Sequence, residues 1–263
     1  MGAGFSYAAG MPSQKALMND ILKLDFGALE ERAIEYYEII RKLRNFLSIF
    51  GNENVKDIDV IEDLFTILDR SYNNEEYFCD FDWIEMHSLR DGLIDLIIAL
   101  FDKKQNSIGL SKAYLQFADM LKKSRLSTSK SVSIISLNWD TILEKSLSSI
   151  DNIAIDYCFY TYGLAEEHIP HITLKARGFN NLKILKPHGS INWLVCSNCG
   201  RMFVDTSKNI SKIKTSCRFC INTMRGIKVP SHPYVLKPFL VTPTLLKEFD
   251  NLHLKYIWQN SLV

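Results

Sequence analysis

Four of the six cysteines fall into two Cys-x-x-Cys pairs, Cys196 with Cys199 and Cys217 with Cys220, while Cys79 and Cys158 stand alone. Such a step puts two thiolates on one tight knuckle, and tetrahedral zinc takes four such ligands. Residues 200–216 separate the pairs, within the roughly 15–20-residue spacing of a zinc ribbon. Gly200 directly follows Cys199, where the backbone has to turn beneath a metal. We read the set as a structural zinc site, since four thiolates leave no open coordination position. Four buried thiols at chance spacing are the other account.

Three further groups could do chemistry. Gly2-Ala3-Gly4-Phe5-Ser6 would let backbone N–H groups approach a pyrophosphate and deliver it to a helix N-terminus. Tyr7 occupies the third glycine position of the full dinucleotide pattern and no strand precedes the glycines, so an ordinary turn is the competing reading. Asn138 and Asp140 follow the β-branched run 132–137. At a strand's C-terminal end they could hold ribose hydroxyls and an amide; Asp140 also suits the cap of a following helix. His188, in Lys186-Pro187-His188-Gly189-Ser190, ends another apolar run and is either a proton carrier or a structural histidine. His168 and His171 flank Pro170 with no further ligands nearby, and we read them as surface loop residues. No Gly-x-Ser-x-Gly elbow or Walker loop is present, so serine-hydrolase and kinase readings have no motif.

The elements that must position these groups follow from periodicity. Apolar residues recur at helical spacing over 28–50, 60–68, 83–101 and 110–121, and a short helix after Pro12-Ser13 is expected. Residues 28–125 therefore form a helical block without a convincing strand. From 131 the pattern changes: 132–137, 153–160, 182–185 and 234–241 read as strands, with helices after Asp140 and over 245–262. Helices alternating with short apolar strands indicate an α/β fold with a parallel sheet, whose strand ends are where ligands bind.

The 263 residues, 47% hydrophobic and 23% charged, suffice for one large domain or two small ones. Thirty-one basic against thirty acidic residues give a net charge of +1, which offers no support for a nucleic-acid partner. The longest apolar run, 93–101, is interrupted by Asp95, so no membrane span is expected. The N-terminus lacks the pattern of a signal peptide, and paired Cys-x-x-Cys steps suit a reducing compartment; the expected location is cytoplasmic.

In this order, the pieces resemble the sirtuin superfamily. Its core opens with a Gly-Ala-Gly-x-Ser loop, as in Gly2–Ser6, and continues with Asn-x-Asp, as in Asn138-Trp139-Asp140. A His-Gly-Ser step follows, as in His188-Gly189-Ser190, and many members then carry a zinc ribbon. The protein deacylases have an Asp-Phe-Arg after the glycine loop, where this chain has Gly10-Met11-Pro12-Ser13-Gln14-Lys15. They also have a Phe-Gly-Glu-type segment after the ribbon, where this chain has Phe239-Leu240-Val241-Thr242-Pro243-Thr244. These departures, with the helical block, resemble the sirtuin-like branch of bacterial antiphage defence effectors; the zinc ribbon leans back toward deacylases.

That resemblance implies a Rossmann-like parallel sheet with a large helical insertion (28–125) and a small zinc-ribbon insertion. An NAD-binding domain would span 1–193 and 229–263, with the ribbon at 194–228. The implied activity is hydrolysis of NAD+ to nicotinamide and ADP-ribose; the alternatives are an NAD-dependent protein-lysine deacylase and a non-catalytic NAD- or ADP-ribose-binding module. Asn138 and His188 would be catalytic, Gly2, Ala3, Gly4, Ser6 and Asp140 would bind the dinucleotide, and Cys196, Cys199, Cys217 and Cys220 would hold zinc. Family members place a strand before the glycine loop and another after the last helix, so a fragment of a longer protein is expected, poorly soluble alone. A homo-oligomer or a regulatory partner is expected for the full-length protein.

Overall fold

A computed structural model describes residues 1–27, 32–50, 61–107, 112–127, 132–148, 154–164, 181–205, 215–223, 234–244 and 252–261. In chain order the elements are α1 (Ala3–Tyr7), α2 (Gln14–Leu22), α3 (Ala33–Ser48), α4 (Ile61–Asn74), α5 (Trp83–Ser107) and α6 (Lys112–Ser127). Then come β1 (Ser133–Ile135), α7 (Ile142–Ser148), β2 (Ala154–Asp156), β3 (Tyr162–Gly163), β4 (Asn181–Leu185) and β5 (Gly189–Cys196). Last are β6 (Met202–Val204), α8 (Arg218–Thr223), β7 (Leu236–Leu240) and α9 (Leu252–Ser261). They fall into two compact units, residues 1–9, 105–241 and 250–263 in one and 10–104 with 242–249 in the other.

The first unit is a mixed α/β structure holding both sheets. β4 lies between β1 and β2, parallel to each, with Ile135 opposite Leu185 and Ile155 opposite Leu182. Ile134, Leu182 and Ile184 are buried with Leu143 and Leu147 of α7, Ala118 and Leu121 of α6 and Ile257 of α9. Each of the larger side chains contributes about 1.5–3 kcal/mol by leaving water. Trp193 is fully buried, with the rings of Tyr157 and Phe159 set edge-on at 5.0 and 4.7 Å.

The parallel sheet expected from 132–137, 153–160 and 182–185 is present, with the first two strands shorter than expected and β4 one residue longer. β2 stops at Asp156, whose side chain accepts the Cys158 N–H at 2.8 Å, and Cys158 turns into the left-handed region at φ 66°. Run 234–241 does not join that sheet: β7 belongs to a second one, ordered β3-β6-β5-β7, in which β5 pairs antiparallel with β6 and β7. Periodicity missed β5, because it is buried along nearly its whole length and shows no alternation. Gly189 opens it at φ 76°, and a Cβ there would lie 2.3 Å from the Phe239 carbonyl oxygen of β7. Glycine is therefore obligatory at that crossing.

The second unit is helical, as the spacing over 28–50, 60–68 and 83–101 predicts. Ser13 caps α2 by accepting the Ala16 N–H at 3.2 Å, and α2 packs against α3 and α4. Phe46 of α3 meets Phe50, Phe78 and Phe81 in one aromatic cluster. Asp95, the charge in the long apolar run, pairs with Arg32 at 2.7 Å. Asp69 is buried between Arg90 and the Thr242 hydroxyl, which donates to it at 2.8 Å. No helix among the described residues is long and apolar enough to cross a membrane.

Candidate functional site

β1 and β4 end side by side, and Asn138 and His188 each stand three residues past the paired Ile135 and Leu185. The chain beyond β1 hangs on the chain beyond β4. Leu137 O accepts from His188 Nδ1 at 3.2 Å, and Trp139 O accepts from Ile191 N at 2.9 Å and Ser190 Oγ at 3.2 Å. Asp140 O accepts from Lys186 Nζ at 2.6 Å. A carbonyl can only accept, so His188 Nδ1 carries a proton, and in the neutral ring Nε2 carries the lone pair. The ring lies 6.0 Å, centroid to centroid, from Trp258 of α9.

The amide of Asn138 reaches the N-terminal glycines. Its Nδ2 donates to Gly2 O at 2.9 Å and to Ser6 Oγ at 2.7 Å, which engages both N–H groups and turns Oδ1 into the acceptor of the pair. Met1 also lies along β1: its N bonds Ile135 O, and Leu137 N bonds its carbonyl at 2.9 Å. The expected glycine loop is instead a short helix. Gly2 is extended and caps α1, and Phe5 N returns to Gly2 O at 2.9 Å, so Ala3, Gly4 and Ser6 sit within the turns of α1. Phe5 supplies the reason, wedged at 4.7 Å against Tyr114 and 5.7 Å against Phe117. Ser6 is buried, whereas Ala3 and Gly4 face out. Among the described residues nothing lies within 4 Å of a Cβ built on Gly2 or Gly4, so no contact there explains glycine at either position.

Asp140 is buried and its Oδ1 accepts the Ile142 N–H at 3.1 Å, capping the start of α7. Lys186 has no exposed surface; its ammonium also meets Glu144 Oε1 at 2.9 Å and Ser190 Oγ at 2.7 Å. Tyr157, 3.4 Å from the same Glu144 oxygen, has its phenol held well above the usual range by burial and then by the Glu144 charge. Neither Lys186 nor Glu144 was singled out from sequence. A lysine directly after the apolar Ile184-Leu185 strand end and before Pro187 was the available signal.

The four paired cysteines converge in the first unit, where all four Sγ atoms lie within 4.8 Å of one another. Cys196 and Cys220 are 3.7 Å apart, as are Cys199 and Cys217. Four thiolates at about 2.3 Å from a tetrahedral zinc stand about 3.8 Å apart, so the set has the dimensions to hold such an ion. Cys196 ends β5 and Cys217 precedes α8; Gly200, at φ 67°, closes the first knuckle with its N–H on Cys196 O at 2.8 Å. Burial alone would raise the Cys199 thiol, but hydrogen bonds from Arg201 bring it down to about 6, while burial pushes Cys217 up to about 12. A metal ion would supply the positive charge that the remaining thiols need in order to ionise. His168 and His171 lie outside the described residues.

A scan against protein-family models finds none that matches this chain, and a search among curated proteins likewise finds no match.

Proposed function

We propose that this chain hydrolyses NAD+ to nicotinamide and ADP-ribose, as the sirtuin-like defence effectors it resembles do, and that Cys196, Cys199, Cys217 and Cys220 hold a structural zinc ion. The observation that carries the reading is that Asn138, bonded to Gly2 and Ser6, and His188, bonded to Leu137 O, follow neighbouring strand tips. The open space over Gly2 and Gly4 supports it, because a pyrophosphate approaching the backbone is a reason for glycine that no neighbour among the described residues supplies.

In this reading the nicotinamide ribose sits over the strand tips. Asn138 Oδ1 accepts from a ribose hydroxyl or from the attacking water. His188 Nε2 takes the water's proton as the oxygen bonds to the anomeric carbon. The glycosidic bond breaks with its electron pair going to nicotinamide, which leaves neutral. Ser6 holds the Asn138 amide in place. Asp140, which the resemblance assigns to the carboxamide or the ribose, serves the site by capping α7 and shaping the loop that carries Asn138. The work is mainly positioning and charge stabilisation.

The test is nicotinamide release from NAD+ without any peptide. Asn138→Ala and His188→Ala are each expected to lower the rate by about a hundredfold or more. The cysteine cluster favours a second reading, a protein deacylase, which would release nicotinamide only when an acyl-lysine peptide is added. Thermal stabilisation by NAD+ or ADP-ribose with no turnover, unchanged in His188→Ala, would point to a binding module instead.

A further inference from the structure

Lys186 has no place in the proposed chemistry, yet its ammonium spends all three protons at the site. They go to Asp140 O in the Asn-Trp-Asp loop at 2.6 Å, to Ser190 Oγ in the His-Gly-Ser step at 2.7 Å and to Glu144 Oε1 in α7 at 2.9 Å. Ser190 passes the tie on to Trp139 O at 3.2 Å. A buried ion pair is a poor way to gain stability, because taking both charges out of water offsets most of their attraction. This pair is less than ideal even on those grounds: Glu144 Oε2 is buried with no hydrogen-bond partner among the described residues. Its geometry serves registry between two loops better than it serves stability.

We infer that Lys186 is the positioning residue of the site, with Glu144 as its anchor: the ammonium clamps the Asn138 loop to the His188 loop and so sets the tautomer of His188. The part concerning turnover rests on the NAD+ hydrolase reading; the clamp itself does not. Neither residue touches the reacting atoms in this account. Removing the ammonium frees the Asp140 carbonyl and the Ser190 hydroxyl, and the His188 Nδ1–H contact to Leu137 O, carried by the same two loops, slackens with them.

The test compares the parent chain with Lys186→Met/Glu144→Gln, which removes both charges together, and with Ser190→Ala, which cuts one arm of the clamp without baring a charge. Two-bond proton–nitrogen spectra report the His188 ring, with its signals assigned from His188→Gln. The parent should show one Nδ1–H tautomer and the double variant a mixture, with its melting temperature within a few degrees of the parent's. Nicotinamide release should fall about a hundredfold in kcat with KM for NAD+ little changed, as misplacement of about 1 Å would cause. Ser190→Ala should move both readouts in the same direction by less. A double variant that keeps the single tautomer overturns the clamp, whatever its activity. If it does not fold, an unaltered His188 spectrum in Ser190→Ala overturns it. If the parent releases no nicotinamide, the hydrolase reading has failed and the tautomer still decides the clamp.

Discussion

In the proposed chemistry Asn138 acts through Oδ1, the half of its amide that takes no hydrogen bond among the described residues. With both N–H groups spent on Gly2 O and Ser6 Oγ, its carbonyl oxygen is aimed by two bonds rather than by a rotamer alone. Asn138→Asp replaces a donor with an acceptor facing Gly2 O, and should cost about 1–3 kcal/mol of stability in denaturant unfolding. Gly4→Ala separates fold from binding. Alanine is about 1 kcal/mol the better helix former, so the melting temperature should hold or rise, while NAD+ affinity measured by calorimetry should fall. Cys158 is a further residue-scale case. Burial first, and Asp156 second, push its thiol up to about 11, so at pH 8 only about one molecule in a thousand carries the thiolate. Iodoacetamide at pH 8 should label exposed Cys79 and leave Cys158, whose labelling should quicken about tenfold per pH unit toward 11. Mass spectrometry of the digested chain reads both.

Among the elements, β5 has the widest reach: it leaves the His188 loop at Gly189 and ends in the first cysteine knuckle at Cys196. Metal removal should therefore loosen β5 and β6 before α6 and α7. Chelation under reducing conditions should expose four additional reactive thiols, and hydrogen exchange should rise first over residues 194–204. Cys217→Ser should abolish stoichiometric zinc in elemental analysis while leaving the β1–β4 amides protected. The elements also show what a one-dimensional reading can and cannot see. The helices over 33–48, 61–74 and 83–107 were legible because amphipathic spacing repeats over several turns, and the cysteine cluster because two Cys-x-x-Cys steps stand out at any distance. β5 was not, since Ser190 and Asn192 interrupt an apolar run whose two faces are both covered, and the glycine at its head resembles the end of a strand. α1 was read as a loop because two glycines weigh against helix, whereas the Phe5 contacts that hold it come from residues more than a hundred positions away. Asn138 and His188 were named from type and position, but that their segments follow neighbouring strand ends depends on the β1–β4 register, which no local pattern states.

At the scale of the whole molecule the chain changes unit at 9/10, 104/105, 241/242 and 249/250. The last stretch of the helical unit, 242–249, is thus remote in sequence from the helices it joins, and composition gave no sign of it. Thr242 ties it there through Asp69, a carboxylate also held by Arg90. Thr242→Val removes one hydrogen-bond partner of a buried carboxylate and should cost the helical unit about 1–3 kcal/mol. Exchange of amides in α4 and α5 should quicken accordingly, with those of β4 and β5 unaffected.

The crossing at Gly189 also bears on ancestry. A side chain of any size at that point would have to push the Phe239 peptide aside, so substitution there has no small first step that drift could take. Gly2 and Gly4 meet no such barrier among the described residues, and in the proposed reading selection for the dinucleotide would hold them. Diverged descendants of this molecule should therefore keep the glycine after the histidine even where binding has been lost, and a lineage that has abandoned its substrate would betray itself by larger residues near the amino terminus.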